Sequence, residues 1–543
     1  MKRKLPLLLV LVMVSSFLLA CTPSNVTPPE NTGEKDADQY LNVLLSAEPS
    51  VLDVARFMGI VDRTIFMNVL EPLTRIQDGQ IVGAGAERWD TSDDGLTYTF
   101  HLRENYWSDG QPVTAQDYIT ALQRQADPAN AFAFANDYYS IKNFEAISKG
   151  EQDVSQLGAS APDERTLVLE LASVNVSLLS TTDFFPDRED IAQLHRDSLG
   201  TEADKRVYCG PFALEAWSHN SQLDLVKHEQ YWNSDNVILN KVSYMIIPDS
   251  NAQLASLENG SLDYLSVSLP EYVAKFQGRD DMSETLISAG RTVMVVFNCE
   301  DSVFENTKIR LAFSLALDRE ALVNVITNDT ATPAFGLVPH DCSVGNLNFR
   351  ENATEPLVAL DATYSDPKAL LIEGMQELGL GADPSALTVR FAWGATTAAA
   401  RTYAELYQQL WQEALGCNVE LEFNDNATHM SNVNSGNYQM ASMSWGSNYE
   451  PQFQLSRWAT PIGGQSRWKN AEYVSLVNRA AQTVDENERL ALYAEAEKLL
   501  VEDAAIAPLY FTANRRFHYN YVQGLTANTF DNVGLMYIYT SGR

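Results

Sequence analysis

Few of the residues in this chain that could do chemistry are spaced as a motif. The seven histidines, at positions 101, 195, 219, 228, 340, 429 and 518, are scattered without metal-ligand spacing. No GxSxG, HExxH or phosphate-cradling loop occurs. Carboxylates are abundant, so counting does not exclude an acid/base pair, but no spacing singles one out. Cys209, Cys299, Cys342 and Cys417 are far apart and form no CxxC pair, which argues against a zinc or redox motif. No catalytic residue, metal or cofactor is therefore expected. The informative stretch is Gln439 to Pro451, QMASMSWGSNYEP. Met440, Ser442 and Ser444 alternate with Ala441, Met443 and Trp445, the period of a strand that runs into a loop. Taken alone, that pattern fits a core strand whose Trp is packing.

The elements around it are legible. Glu87 to Arg124 reads as a hairpin feeding a helix. Asp93-Asp94-Gly95 is turn chemistry. After it Leu96, Tyr98, Phe100 and Leu102 alternate with polar residues, as in a half-buried strand. Thr114 is placed to cap a helix, with Asp117 as its capping-box partner. Arg165 to Leu171 reads as a strand. Arg291 to Asn298, RTVMVVFN, is a continuous apolar run suited to a strand buried on both faces. Asp318 breaks the following helical stretch as an N-cap. Further on, strand Leu387 to Trp393, helix Ala398 to Leu415 and strand Asn418 to Phe423 alternate in α/β fashion. The helix ending near Val501 is followed by Pro508 and a strand from Leu509 to Thr512.

The chain's 543 residues exceed a single core, so two or three domains are expected. A net charge of −33 argues against nucleic acid or an anionic membrane as partner, since phosphate contacts need a basic surface. The start of the chain is different in kind. Lys2, Arg3 and Lys4 precede an apolar run, Leu5 to Leu19, of signal-peptide length. Leu18-Leu19-Ala20-Cys21 resembles a bacterial lipobox, which implies lipidation at Cys21 and cleavage before it. Thr22 to Asp38, with three prolines and no apolar periodicity, reads as a flexible tether.

The wording of Glu87 to Arg124 carries more than local structure. Its "W-D…DDG", "YTFHLR", "WSDG" and "VTAQD" steps resemble the signature of the peptide- and nickel-type extracellular solute-binding proteins of ABC importers, family 5. Glu71-Pro72-Leu73, Gly210-Pro211-Phe212, Arg310 through Arg319 and the C-terminal ENERLALYAEAEKLL run fit the same family, with oligopeptide binders as the best match. The resemblance implies an α/β, two-lobed periplasmic-binding-protein-like fold of class II, with an extra small domain inserted in the first lobe. The expected division is 1–20 leader, 21–38 lipidated tether, 39–70 with 196–290 and 511–543 as lobe I, 71–195 as the insert, and 291–510 as lobe II.

The resemblance also implies a site. The family carries "W..Dy..P" where this chain has Trp445 to Pro451, and in its peptide binders the Asp accepts the ligand's ammonium. Trp445 is then a pocket aromatic, Ser444 and Gly446 supply main-chain partners, and Asn448 stands in place of the Asp, followed by Tyr449. Asn has no charge with which to pair a buried ammonium, and Glu450 is a candidate to supply it. Where relatives hold a ligand carboxylate with basic groups, this chain has Ser442 and Ala399, with Arg401 nearby. Met58 falls where the first lobe touches ligand, and Asn298 ends the central strand. The expected protein is a monomer that binds an oligopeptide, meets a permease, and is anchored outside the cytoplasm through Cys21. Hinge crossings are expected near Gly290-Arg291 and Leu509-Tyr510. The same fold binding a nickel chelate, an oligosaccharide or a signalling peptide is the alternative. An extracellular hydrolase with a carboxylate pair is the remoter one.

Overall fold

A computed structural model describes residues 34–181, 183–327 and 330–543. Cys21 and the expected leader lie outside the described residues. The first lobe is built on a four-stranded sheet in the order Tyr40–Leu45, Lys241–Ile246, Gln222–Lys227, Phe212–Ser218. The first pair is parallel and the others antiparallel.

The inserted segment forms its own antiparallel sheet, in the order Ala86–Thr91, Thr97–Leu102, Thr166–Glu170, Ala159–Asp163. Tyr98, Phe100 and Leu102 are buried on one face of it, as the period of two requires. Helix Ala115–Ala126 begins with the expected capping box: Asp117 accepts from the Thr114 backbone N–H at 2.8 Å. The two sheets contribute to one apolar core, which includes Leu41 and Val43 of the first and Phe100 and Leu167 of the second. The insert is therefore packed into the first lobe and not only beside it.

The larger sheet has seven strands. Tyr264–Val267, Ile506–Tyr519, Met282–Phe297, Met440–Gly446, Thr388–Trp393 and Asn418–Phe423 follow one another, and Ala331–Pro333 adds to Ile506–Tyr519. The strands read from sequence as Arg291–Asn298 and Leu509–Thr512 are only parts of two long strands, of 16 and 14 residues. Their far halves pair near Tyr264–Val267, around a separate small core of Leu254, Phe276 and Phe517. Their near halves carry the core of the second lobe.

Pro508 does not precede a strand but sits within one. A register shift between Val293 and Met294 leaves Leu509 extra on the partner strand, and the missing N–H of Pro508 is tolerated there. A second shift leaves Ala289 and Gly290 extra between the pairs Ser288–Ala513 and Arg291–Thr512. Gly290 takes φ +57°, which only glycine adopts freely. Between the shifts and the strand end, Val293, Val295 and Phe297 enter one core and Met294 and Val296 another. This double burial is why the sequence run is apolar throughout.

Candidate functional site

Three parallel strands end at one edge of the large sheet. Trp393 lies level with Phe423, and Ala392 level with Ala441. In open α/β sheets ligands bind in the crevice outside such carboxyl ends. Here the edge leaves Trp393, Phe423 and Trp445 half-buried. Side chains directly opposite across a sheet share a face. Arg291 faces Gly446, Thr292 faces Trp445 and Val293 faces Ser444, so Arg291 and Ser444 lie on one face and Trp445 on the other.

Each face carries a guanidinium. Arg291 Nη1 donates to the Ser444 carbonyl at 3.1 Å and to its Oγ at 2.9 Å. On the other face the Arg457 guanidinium carbon lies 3.1 Å from the ring centroid of Trp445, a cation–π stack. Partial burial pulls the Arg457 pKa down from the ordinary arginine range. Behind Ser442, His429 Nε2 lies 2.9 Å from the Ser442 carbonyl, so this nitrogen carries the proton and donates. Burial lowers the His429 pKa and keeps the ring neutral. Its close seat needs Gly394, where a Cβ would stand 2.8 Å from the ring.

The loop after the strand is tied to the bulge between the lobes. Ser447 donates from its backbone N–H at 2.6 Å and from its Oγ at 2.7 Å to the Gly290 carbonyl. Asn448 is exposed, and its carbonyl accepts from Cys342 Sγ at 3.4 Å. Tyr449 is buried, with its hydroxyl 2.9 Å from the Gly79 carbonyl and 2.7 Å from the Gly345 carbonyl. Glu450 is turned inward at 2% exposure: Oε1 accepts from Gly345 N–H at 2.8 Å and from Arg489 at 3.2 Å. Burial pushes its carboxyl up to about 7, against the pull of Arg489.

Of the residues expected at the site, Ser444, Trp445, Gly446 and Asn448 are brought together at this edge. Tyr449 and Glu450 follow them in the chain but spend their polar atoms inside the protein. Glu450 is not presented for a ligand ammonium. Arg401 stands at the same edge, its guanidinium 4.5 Å over the Phe423 ring. Met58 belongs to the opposite lobe, 71% exposed, with its N–H held by Asp62 at 3.0 Å. Asn298 is elsewhere. It lies six residues along the strand from Thr292, roughly 20 Å at a strand's rise, and its amide is consumed by the Gly436 and Tyr438 carbonyls, both at 3.0 Å. Arg291, Arg457 and His429 escaped the sequence reading. Arg291 was visible as the first residue of the central strand, whereas nothing in the sequence marked Arg457. A hollow of about 340 Å³ by Phe132, Tyr139 and Lys149 is lined by none of these residues.

Two lobes joined by continuous strands, with a polar and aromatic loop at the sheet edge, are the architecture of a two-lobed solute-binding protein. The family model of bacterial extracellular solute-binding proteins, family 5 Middle, matches residues 80–465, and the chain belongs to that family. The oligopeptide-binding protein OppA of Bacillus subtilis is 28% identical over 523 residues, covering 94% of each chain. Among solved structures, the unliganded open form of the periplasmic murein tripeptide-binding protein MppA superimposes with a TM-score of 0.82 at 25% identity, covering 94% of this chain and 99% of that one. OppA of Listeria monocytogenes bound to peptide gives 0.62 at 26% identity, covering 93% and 99%.

Proposed function

We propose that this protein is the lipid-anchored receptor of an ABC importer, which captures oligopeptides between its lobes and delivers them to a permease. One observation carries the hinge part of this reading. Of two structures of MppA, each 25% identical over 94% of this chain, the unliganded open form superimposes with a TM-score of 0.82 and the other with 0.65. A rigid body would score both alike, so the difference fits an open state of a molecule that closes. The closing motion is assigned to the two strand crossings, with the bulges at Ala289-Gly290 and Leu509 as pivots.

Peptide backbone would pair with the main chain of Ser444 and Gly446, an arrangement that gives affinity with little demand on side-chain sequence. Trp445 and Arg401 border the space for side chains, and Met58 meets the ligand from the first lobe. The anchor rests on Leu18-Leu19-Ala20-Cys21.

Thermal unfolding with pools of peptides two to eight residues long tests the reading. A ligand at ~100 times its dissociation constant stabilises by roughly 2.7 kcal/mol, a readable shift. No shift with any pool removes oligopeptides as the ligand and sends the search to nickel chelates and sugars. The anchor is checked separately, by loss of membrane association in Cys21→Ala.

A further inference from the structure

Three arginines, Arg291, Arg457 and Arg401, stand at the Trp445 edge of this acidic protein, with Glu422 and Asp425 at the neighbouring strand end. Acidic residues outnumber Lys and Arg by 71 to 38; of the buried arginines, Arg75, Arg206 and Arg489 pair with Glu71, Asp187 and Glu450, while Arg310 and Arg319 spend their N–H groups mainly on backbone carbonyls inside the protein. Arg291 and Arg457 are not matched. Among the described residues the Arg291 side chain bonds only Ser444, and the Arg457 guanidinium only stacks on Trp445. Among the described residues neither has a carboxylate within ion-pair distance. Asp341, on the segment that runs beside the loop through the Ser343 N–H to Tyr449 carbonyl bond of 2.8 Å, pairs with neither. Asn448 is neutral, and Glu450 is held by Arg489.

We infer that this edge receives carboxylates of the ligand, at Arg457 on one face of the strand and at Arg291 on the other, so that the protein selects acidic peptides. The inference rests on peptide capture at this edge and names the class of peptide. A guanidinium presents parallel N–H groups that fit a carboxylate. Stacking on Trp445 fixes the Arg457 plane, and the bonds to Ser444 fix Arg291, so little side-chain freedom remains to be lost on binding. Arg401, at the far end of the same edge and without an acidic partner among the described residues, adds a third guanidinium.

Calorimetric titration of the full chain tests this with two pools of pentapeptides, all with free amino termini. One pool contains Glu and free carboxyl termini. The other has Gln at the same positions and amidated termini. The acidic pool is expected to bind at least about tenfold more tightly, as for hydrogen bonds to charged groups. In R291Q/R457Q the ratio of the affinities for the two pools should fall to about one, whatever the absolute affinity, with the unliganded melting temperature confirming the fold. If the double variant does not fold, R291Q and R457Q singly should each lose part of the preference. Equal binding of both pools by the wild type, or a preference that survives the substitutions, overturns the inference and leaves peptide capture standing. If neither pool binds, peptide capture itself fails and the inference with it.

Discussion

The hydroxyl of Tyr449 lies 2.9 Å from the carbonyl oxygen of Gly79, which joins the loop after Trp445 in the second lobe to a hairpin of the first. The same hydroxyl is 2.7 Å from the Gly345 carbonyl. Asn346 adds to the junction, its Oδ1 accepting from Ile81 N–H at 2.7 Å. Around it Ile76, Ile81 and Tyr449 form a small apolar cluster against Phe530. Tyr449→Phe keeps the packing and strips the donor from two carbonyls. The expected loss is about 1–2 kcal/mol of unfolding free energy, measured by urea denaturation. An unchanged midpoint would mean that water replaces the hydroxyl without cost.

Gly290 should resist substitution for a backbone reason. A Cβ there would meet Ser447 Oγ and Thr529 Cγ2 at 3.4 Å, which is ordinary contact, so space is not the obstacle. Its φ of +57° is. Gly290→Ala should cost about 1–2 kcal/mol from the left-handed conformation alone. Since the Gly290 carbonyl also holds Ser447, peptide affinity should fall together with stability. Affinity unchanged beside a lowered melting temperature would separate the bulge from the binding motion.

Glu450 predicts a pH dependence whose sign follows from burial. Its carboxyl is pushed up to about 7 in the folded chain, whereas an unfolded Glu titrates near about 4.3. Between those values the folded chain holds more protons than the unfolded one, so this group's contribution makes stability fall as pH rises through that window and level off above it. Glu450→Gln cannot titrate. The stability deficit of the variant relative to wild type should therefore shrink from pH 5 to pH 8 in denaturant titrations. Parallel profiles would show that Arg489 keeps Glu450 ionised throughout.

Asn448 offers a gain of charge in place of a loss. It is exposed, so Asn448→Asp should fold normally. A carboxylate there favours a ligand ammonium and opposes the carboxylates assigned to Arg457. The variant should improve binding of free-amine peptides over acetylated ones by about tenfold and weaken acidic peptides. Calorimetry with matched acetylated and free pairs reads both effects, and identical ratios in the two proteins would place the ligand's amino terminus away from residue 448.

The sequence by itself determined the local elements and the family. The period of two in Tyr98, Phe100 and Leu102, the Thr114–Asp117 cap and the Gly416 stop after helix Ala398–Leu415 are decided by neighbours in the chain, so they can be read from it. The Trp445 loop was legible for the same reason, as a strand pattern running into a motif. Only the tertiary structure decided what those residues face. Glu450 looked available from its place beside Asn448, but Arg489, 39 residues later, turns it inward. Asn298 looked like a cleft residue, but strand rise carries it away from Trp445 and two carbonyls consume its amide. Arg457 reaches Trp445 only because helix Gln452–Leu455 and the turn after it fold the chain back over the strand end. Periodicity and capping act over a few residues, whereas the charge of a site is the sum over segments that meet only when the sheet is assembled.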